Sequence, residues 1–220
     1  MKNAVLALAA VLALVLTATA LGDDFSQGNS AKAAHKWKVL SLGSGHWKQK
    51  PAQVFPDGIG FAFGTTPDPR LFLTTHLGSA LLRDLTGKTL TATFTITGTA
   101  TAFASGEGPS GNACGTPASV RLYFEGKHRR AVTKQWWSTP QAYTLTSLVG
   151  HTLTLTVPLD TANWTDGRFE LASDVPSDFA AAVAKVRAVG VSFGGGCFLP
   201  TGAFPTDGTA SFVLKSYSVS

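Results

Sequence analysis

The segment from Thr89 to Thr97 reads TLTATFTIT and decides the class of fold. Apolar residues alternate strictly with threonines along it. Successive side chains of an extended chain point to opposite faces, so this pattern predicts a strand with one buried face and one polar face. Threonine and the other β-branched residues also favour strands.

The same alternation recurs along the rest of the chain and predicts a succession of short strands. The further strong candidates are 119–126, 151–157, 188–193 and 209–219, and the weaker ones are 37–42, 59–63, 70–75 and 143–148. Asp-Gly dipeptides, which favour tight turns, follow Pro56, Thr165 and Thr206. The pattern therefore indicates strands joined by short connections.

One helix is predicted near residues 177–187. Phe179, Val183 and Val186 are spaced to form a single apolar stripe, and Pro176 stands just before them. A single late helix cannot supply the crossovers that a parallel sheet requires. We therefore predict an all-β fold, an antiparallel two-sheet β-sandwich of the jelly-roll kind. The Cys-Trp-Cys spacing of an immunoglobulin domain is absent.

The N-terminus has the layout of a secretory signal. Lys2 supplies a positive charge, residues 4–16 are apolar, and Ala18-Thr19-Ala20 fits a signal peptidase site. We predict a signal peptide at 1–20, an N-terminal arm or edge strand at 21–36 and a single β-sandwich domain at 37–220. The expected location is secreted or periplasmic, with no stable membrane span after cleavage. An uncleaved membrane anchor is the alternative.

The charge content bears on the kind of partner, and the cysteine content bears on disulfide formation. Only 14% of residues are charged, the net charge is +5 and no long basic run occurs, so a nucleic acid partner is not expected. Cys114 and Cys197 are an even pair in an exported chain, which predicts one disulfide. Two separate buried thiols are the alternative.

Two sequence patterns suggest catalysis, but neither has the surrounding residues that the chemistry requires. Residues 190–194, GVSFG, match a nucleophile elbow by letter, but Ser192 lies inside a predicted strand that no helix follows. Glu125 would need a second carboxylate for glycoside hydrolysis, and the spacing favours neither Asp160 nor Glu170 as its partner. We predict that the protein is not an enzyme.

Metal and cofactor signals are weak. The five histidines are scattered without the spacing of zinc ligands, so no cofactor is predicted. A structural calcium ion remains open, because Asp23, Asp24 and Asp207 lie near the two ends of the chain, which sandwich folds often bring together.

The adjacent tryptophans provide the strongest signal for a ligand. On an extended chain Trp136 and Trp137 point to opposite faces, so one packs inward while the other faces out near Arg121 and Tyr123. Such an aromatic shelf suits the apolar face of a sugar ring, with Arg121 and Tyr123 supplying hydrogen bonds. We predict ligand binding by Trp136, Trp137, Arg121 and Tyr123. Packing of both tryptophans in the protein interior is the alternative, and the basic residues 127–130 could contact an anion such as an acidic polysaccharide.

Several segments carry a resemblance to a known class. Leu159-Asp160 followed by Trp164, the run 189–195 (VGVSFGG) and the closing strand 210–214 (ASFVL) resemble exported jelly-rolls of the galactose-binding-like class, as does the opening Asp23-Asp24-Phe25. Many carbohydrate-binding modules belong to that class. Residues 112–124 with Trp136-Trp137-Ser138 are similar to a group of exported bacterial proteins of no known function.

Three functions follow in order of preference. The first is a secreted, non-catalytic binding module for a carbohydrate-like ligand, as the resemblance also implies. The second is a structural or envelope-associated protein-interaction domain, and the third is a hydrolase with an unrecognised site.

Overall fold

The computed structural model describes residues 21–25, 30–43, 46–65, 70–75, 84–106, 117–127, 132–195 and 202–220. Two of the sequence predictions, the signal peptide at 1–20 and the disulfide between Cys114 and Cys197, lie outside these ranges. Within them, no helix has the length and apolar character needed to cross a membrane.

Within these ranges the chain forms fifteen strands and two short α-helices, besides two 3-10 turns. The strands are β1 Leu21–Asp24, β2 Trp37–Gly43, β3 His46–Pro51, β4 Gln53–Phe55, β5 Gly58–Ala62, β6 Arg70–Thr74, β7 Thr89–Gly98, β8 Phe103–Ser105, β9 Ser119–Glu125, β10 Gln135–Thr144, β11 Thr152–Pro158, β12 Trp164–Asp166, β13 Ala188–Gly194, β14 Ala203–Pro205 and β15 Ala210–Val219. The helices are α1 Ser30–Ala34 and α2 Pro176–Val183.

The strands form two large antiparallel sheets. A six-stranded sheet has the order β11-β7-β15-β5-β4, with β1 also paired to β15. A seven-stranded sheet has the order β12-β10-β9-β13-β6-β2-β3, and β8 pairs separately with β14. The two sheets enclose the main core, so the predicted all-β sandwich of jelly-roll type is confirmed.

Strand β7 has the two faces that its sequence predicts. Leu90, Ala92, Phe94 and Ile96 are all fully buried in the main core. On the other face the threonine hydroxyls of β7 hydrogen-bond to those of β11, Thr93 with Thr154 at 2.9 Å and Thr91 with Thr156 at 3.2 Å. These cross-strand pairs fix the register of the two strands.

Aromatic rings fill the middle of the sandwich. Phe212 on β15 has its ring centroid within 6 Å of four other rings, which belong to Phe61, Phe72, Phe94 and Phe193. These residues come from both sheets, so this cluster holds the two layers together. Edge-to-face contacts of this kind add to the free energy gained by burying the rings.

Helix α2 begins as predicted and ends earlier than expected. Pro176 occupies its first turn, and Phe179 and Val183 are buried along the predicted stripe. The helix ends at Val183 rather than near 187. After it the backbone N–H of Arg187 donates to the carbonyl of Glu125 at 2.7 Å, which begins the pairing of β13 with β9.

The N-terminal residues dock onto the sandwich. Residues 21–24 pair with 216–219 of β15, and Phe25 is buried against Trp37 with ring centroids 5.9 Å apart. Helix α1, which the sequence pattern did not predict, buries Ala33 and Ala34 against the main core.

Candidate binding site

Strand β9 is buried on both faces. Val120, Leu122 and Phe124 point into the main core between the sheets, as the alternation predicts. Arg121, Tyr123 and Glu125 therefore lie on the opposite side of the seven-stranded sheet, which we call the outer face. The sequence suggested a solvated outer side for this strand, but all three of these side chains are buried.

The register of the sheet brings three of the four predicted ligand-binding residues together. Trp137 on β10 stands opposite Tyr123 on β9, and Arg121 stands opposite Ser192 on β13. The rings of Tyr123 and Trp137 have centroids 5.2 Å apart with a tilt of 58°. The indole Nε1 of Trp137 donates to Ser192 Oγ at 3.0 Å, so the side chain reaches across β9.

Trp136 lies on the other side of the sheet. It is fully buried in the main core, where it stacks on Phe124 and meets Phe179 edge-on at a centroid distance of 5.0 Å. Its role is the packing of α2 against the seven-stranded sheet. The two tryptophans therefore point to opposite faces of the sheet, as predicted, and Trp137 is the one on the outer face.

The outer face carries a second apolar cluster. Leu71, Leu73, Tyr123, Trp137 and Ala188 are buried there, separate from the main core. Only 2% of Trp137 is exposed, so its indole packs among these residues rather than forming an open shelf. The sequence holds a signal for this burial, because 71–73 (LFL) and 188–191 (AVGV) are apolar without alternation, as strands buried on both faces are.

Polar groups are set into this apolar face. Arg121 is 9% exposed, and its Nη1 donates to Ser119 Oγ at 2.5 Å. Its Nε–H has no hydrogen-bond partner, and burial lowers the pKa of the guanidinium. The hydroxyl of Tyr123 donates to Glu125 Oε2 at 3.4 Å. Sequence reasoning did not select Ser119, Glu125 or Ser192 as site residues, because only the register places them beside Trp137 and Arg121.

The two other candidate carboxylates, Asp160 and Glu170, interact with residues close to them in sequence. Asp160 accepts hydrogen bonds from Ala162 N at 3.0 Å and from the Asn163 side chain, and Glu170 forms an ion pair with Arg168. Each closes a turn outside the outer face.

The calcium suggested from the sequence gains no support from the geometry. Asp207 accepts hydrogen bonds from Thr101 N at 2.8 Å and Ala102 N at 3.1 Å, so its carboxylate fastens a loop. Asp24 pairs with Ser216, toward the opposite end of β15. Among the residues that the structure describes, no group of three or more His, Cys, Asp or Glu could hold a metal ion. Of the basic cluster 127–130, Lys127 is exposed and the other three residues lie outside the described ranges.

Comparison with known proteins gives one structural likeness to report. No family model matches the chain, and no curated protein matches it. A solved structure described as "xylan-binding module CBM15" is similar to it, with 16% sequence identity and a TM-score of 0.49. The similarity covers 91% of this chain and 94% of that one.

Proposed function

We propose that this protein is a secreted, non-catalytic binding module that takes a carbohydrate ligand at the outer face of the seven-stranded sheet. The observation that carries the proposal is the constellation around Trp137, where two aromatic rings adjoin a guanidinium, a carboxylate and a hydroxyl. This constellation stands on the side of the sheet that the core of the sandwich does not use.

The chemistry of these groups matches that of a sugar. The C–H groups on one face of a pyranose ring pack well on aromatic rings. A ligand would have to uncover the rings of Trp137 and Tyr123 to use them in this way, because 2% of Trp137 and none of Tyr123 is exposed. Sugar hydroxyls both donate and accept hydrogen bonds, so they need acceptors such as Glu125 and donors such as Arg121. In small-molecule sites, a few polar groups held within a mostly apolar lining give specificity.

The placement of the acidic residues supports binding without hydrolysis. Among the described strands of the seven-stranded sheet, Glu125 and Asp166 are the acidic residues. Asp166 stands opposite Trp136, on the core side, and binds Arg168 Nε at 2.9 Å. Glycoside hydrolysis ordinarily needs two carboxyl groups flanking one bond. These two lie on opposite faces of the sheet.

A glycan array on the chain beginning at Leu21 tests the proposal with a matched pair of variants. Trp137→Phe removes the indole that reaches Ser192, whereas Trp136→Phe removes an indole N–H that has no hydrogen-bond partner. We expect wild type and Trp136→Phe to bind the same glycans and Trp137→Phe to lose them. Folded wild-type protein that binds no glycan, or equal binding by both variants, would contradict the proposal.

A further inference from the structure

The guanidinium of Arg121 is buried without a counter-ion among the described residues. Arg121 is 9% exposed, and its hydrogen bond in the described part of the chain goes from Nη1 to the neutral hydroxyl of Ser119. No ion pair joins Arg121 to a described carboxylate, and its Nε–H has no partner. A guanidinium has five N–H donors, so the bond to Ser119 and the unpaired Nε–H leave donors for a ligand.

An arrangement of this kind is costly for folding alone. Removing a charged group from water carries a large free-energy penalty, which an anionic partner at close range normally offsets. Burial lowers the pKa of Arg121, yet arginine stays protonated at neutral pH, so the charge persists. A buried charge that no described carboxylate neutralises is typical of a binding group rather than of a group that stabilises the fold.

The position of Arg121 within the constellation favours contact with a ligand. On the outer face Arg121 lies two residues from Ser119 and from Tyr123 on β9, and opposite Ser192 on β13. None of these three is charged, and the acidic residue of this strand, Glu125, accepts a hydrogen bond from Tyr123. Arg121 is 9% exposed, more than Trp137, Tyr123 or Ser192, although its Nε is itself buried.

We infer that the carbohydrate taken at the outer face is an acidic one, and that Arg121 binds its carboxylate. This inference rests on the proposed function and names the class of sugar, one that contains a uronic acid or a similar carboxylated ring. The planar guanidinium can meet both oxygens of a carboxylate in a bidentate pair, which neutralises the buried charge. The ring of the same sugar then lies toward Trp137 and Tyr123.

The experiment compares uronic acid glycans with their methyl esters, which keep the ring and remove the charge. Binding is measured for wild type, Arg121→Gln and Arg121→Lys, with Val54→Ala as a control on an exposed position of the other sheet. We expect wild type to bind at least one acidic glycan about tenfold or more tightly than its ester. Arg121→Gln should abolish that preference, and Arg121→Lys should keep part of it.

The unfolding temperature provides a second readout, which distinguishes a binding role of Arg121 from a structural one. We expect Arg121→Met to unfold at the same temperature as wild type or higher, because it replaces an uncompensated buried charge with an apolar side chain of similar length. A clear fall in the unfolding temperature would show that Arg121 serves the fold, and would overturn the inference.

The binding outcomes separate this inference from the function on which it rests. Equal affinity for acids and esters, or an acid preference that survives Arg121→Gln, overturns the inference and leaves carbohydrate binding intact. Preference for a sulfated glycan over every carboxylated one overturns carboxylate as the recognised group. If folded protein binds neither acidic nor neutral glycans, the proposed function fails together with the inference.

Discussion

The indole Nε1 of Trp137 donates a hydrogen bond to Ser192 Oγ at 3.0 Å, so a side chain of β10 is tied to β13 across the intervening strand β9. Both residues are buried on the outer face. The bond fixes the direction of the indole over β9, where Arg121 and Tyr123 stand. It makes Ser192 a positioning residue for Trp137.

Removal of that hydroxyl tests how firmly the indole is held. Ser192→Ala leaves a buried N–H without this acceptor, and we expect a loss of about 1–3 kcal/mol in the free energy of unfolding. Urea unfolding followed by tryptophan fluorescence measures the change. In the double variant with Trp137→Phe the effect of Ser192→Ala should shrink, because the donor is also gone. Additive effects in that cycle would argue against the bond.

The aromatic centre of the sandwich should carry a large share of the stability. We expect Phe212→Ala to lower the free energy of unfolding by about 3–5 kcal/mol. The substitution leaves a cavity, and the closely packed rings around it cannot move far enough to fill it. Val54→Ala is the control, since Val54 is 55% exposed on β4 and should change stability by less than about 0.5 kcal/mol. Similar small effects for both variants would mean that the two sheets do not pack as described.

Asp207 should make the loop between β7 and β8 sensitive to acid. Hydrogen bonds from the Thr101 side chain, then from the backbone of Thr101 and Ala102, lower the pKa of its carboxyl group in the folded protein. Its contribution to stability is therefore full above the unfolded pKa of about 4 and is lost as pH falls through the lower folded value.

The corresponding variant is Asp207→Asn. We expect it to be less stable than wild type at neutral pH, with a difference that narrows as pH falls below about 4. Thermal unfolding over a pH series checks this. A difference between the two proteins that is constant with pH would contradict the assigned role of the ionised carboxylate.

The register of β9 and β13 bears on the predicted disulfide. Ser119, the first residue of β9, pairs with Gly194, the last of β13. In the sequence Cys114 precedes Ser119 by five residues and Cys197 follows Gly194 by three. We predict one disulfide between them, worth about 4 kcal/mol by loop-closure entropy. Mass spectrometry after alkylation should find no free thiol before reduction, and two free thiols would refute the pairing.

Local patterns were enough to predict much of the fold. Alternation in 89–97 and 151–157 identified two strands and the faces that they bury, and the stripe through Phe179 identified α2. Short edge strands such as β3 and β12, together with α1, escaped prediction because a few residues carry too little periodicity. Strand β12 depends on pairing with β10, which lies about twenty residues earlier, whereas β3 forms a hairpin with the preceding strand β2.

The candidate site shows what a single segment cannot reveal. The neighbouring positions of Trp136 and Trp137 predicted that they face opposite ways, and the structure places them so. The burial of Trp137 depends on Leu71, Leu73 and Ala188, which reach it only through the strand order β10-β9-β13-β6. For the same reason, the sequence of β9 alone could not predict that no described carboxylate pairs with Arg121.

The most direct measurement observes both tryptophan indoles in one protein while a glycan is added. A ¹H–¹⁵N spectrum resolves the indole N–H signals, and the Trp136→Phe and Trp137→Phe variants assign them. If the outer face is the binding face, titration with a glycan that the array identifies shifts the Trp137 signal and leaves that of Trp136 unchanged. A shift of Trp136 alone, or bound glycan with neither signal moved, would contradict the placement of the site.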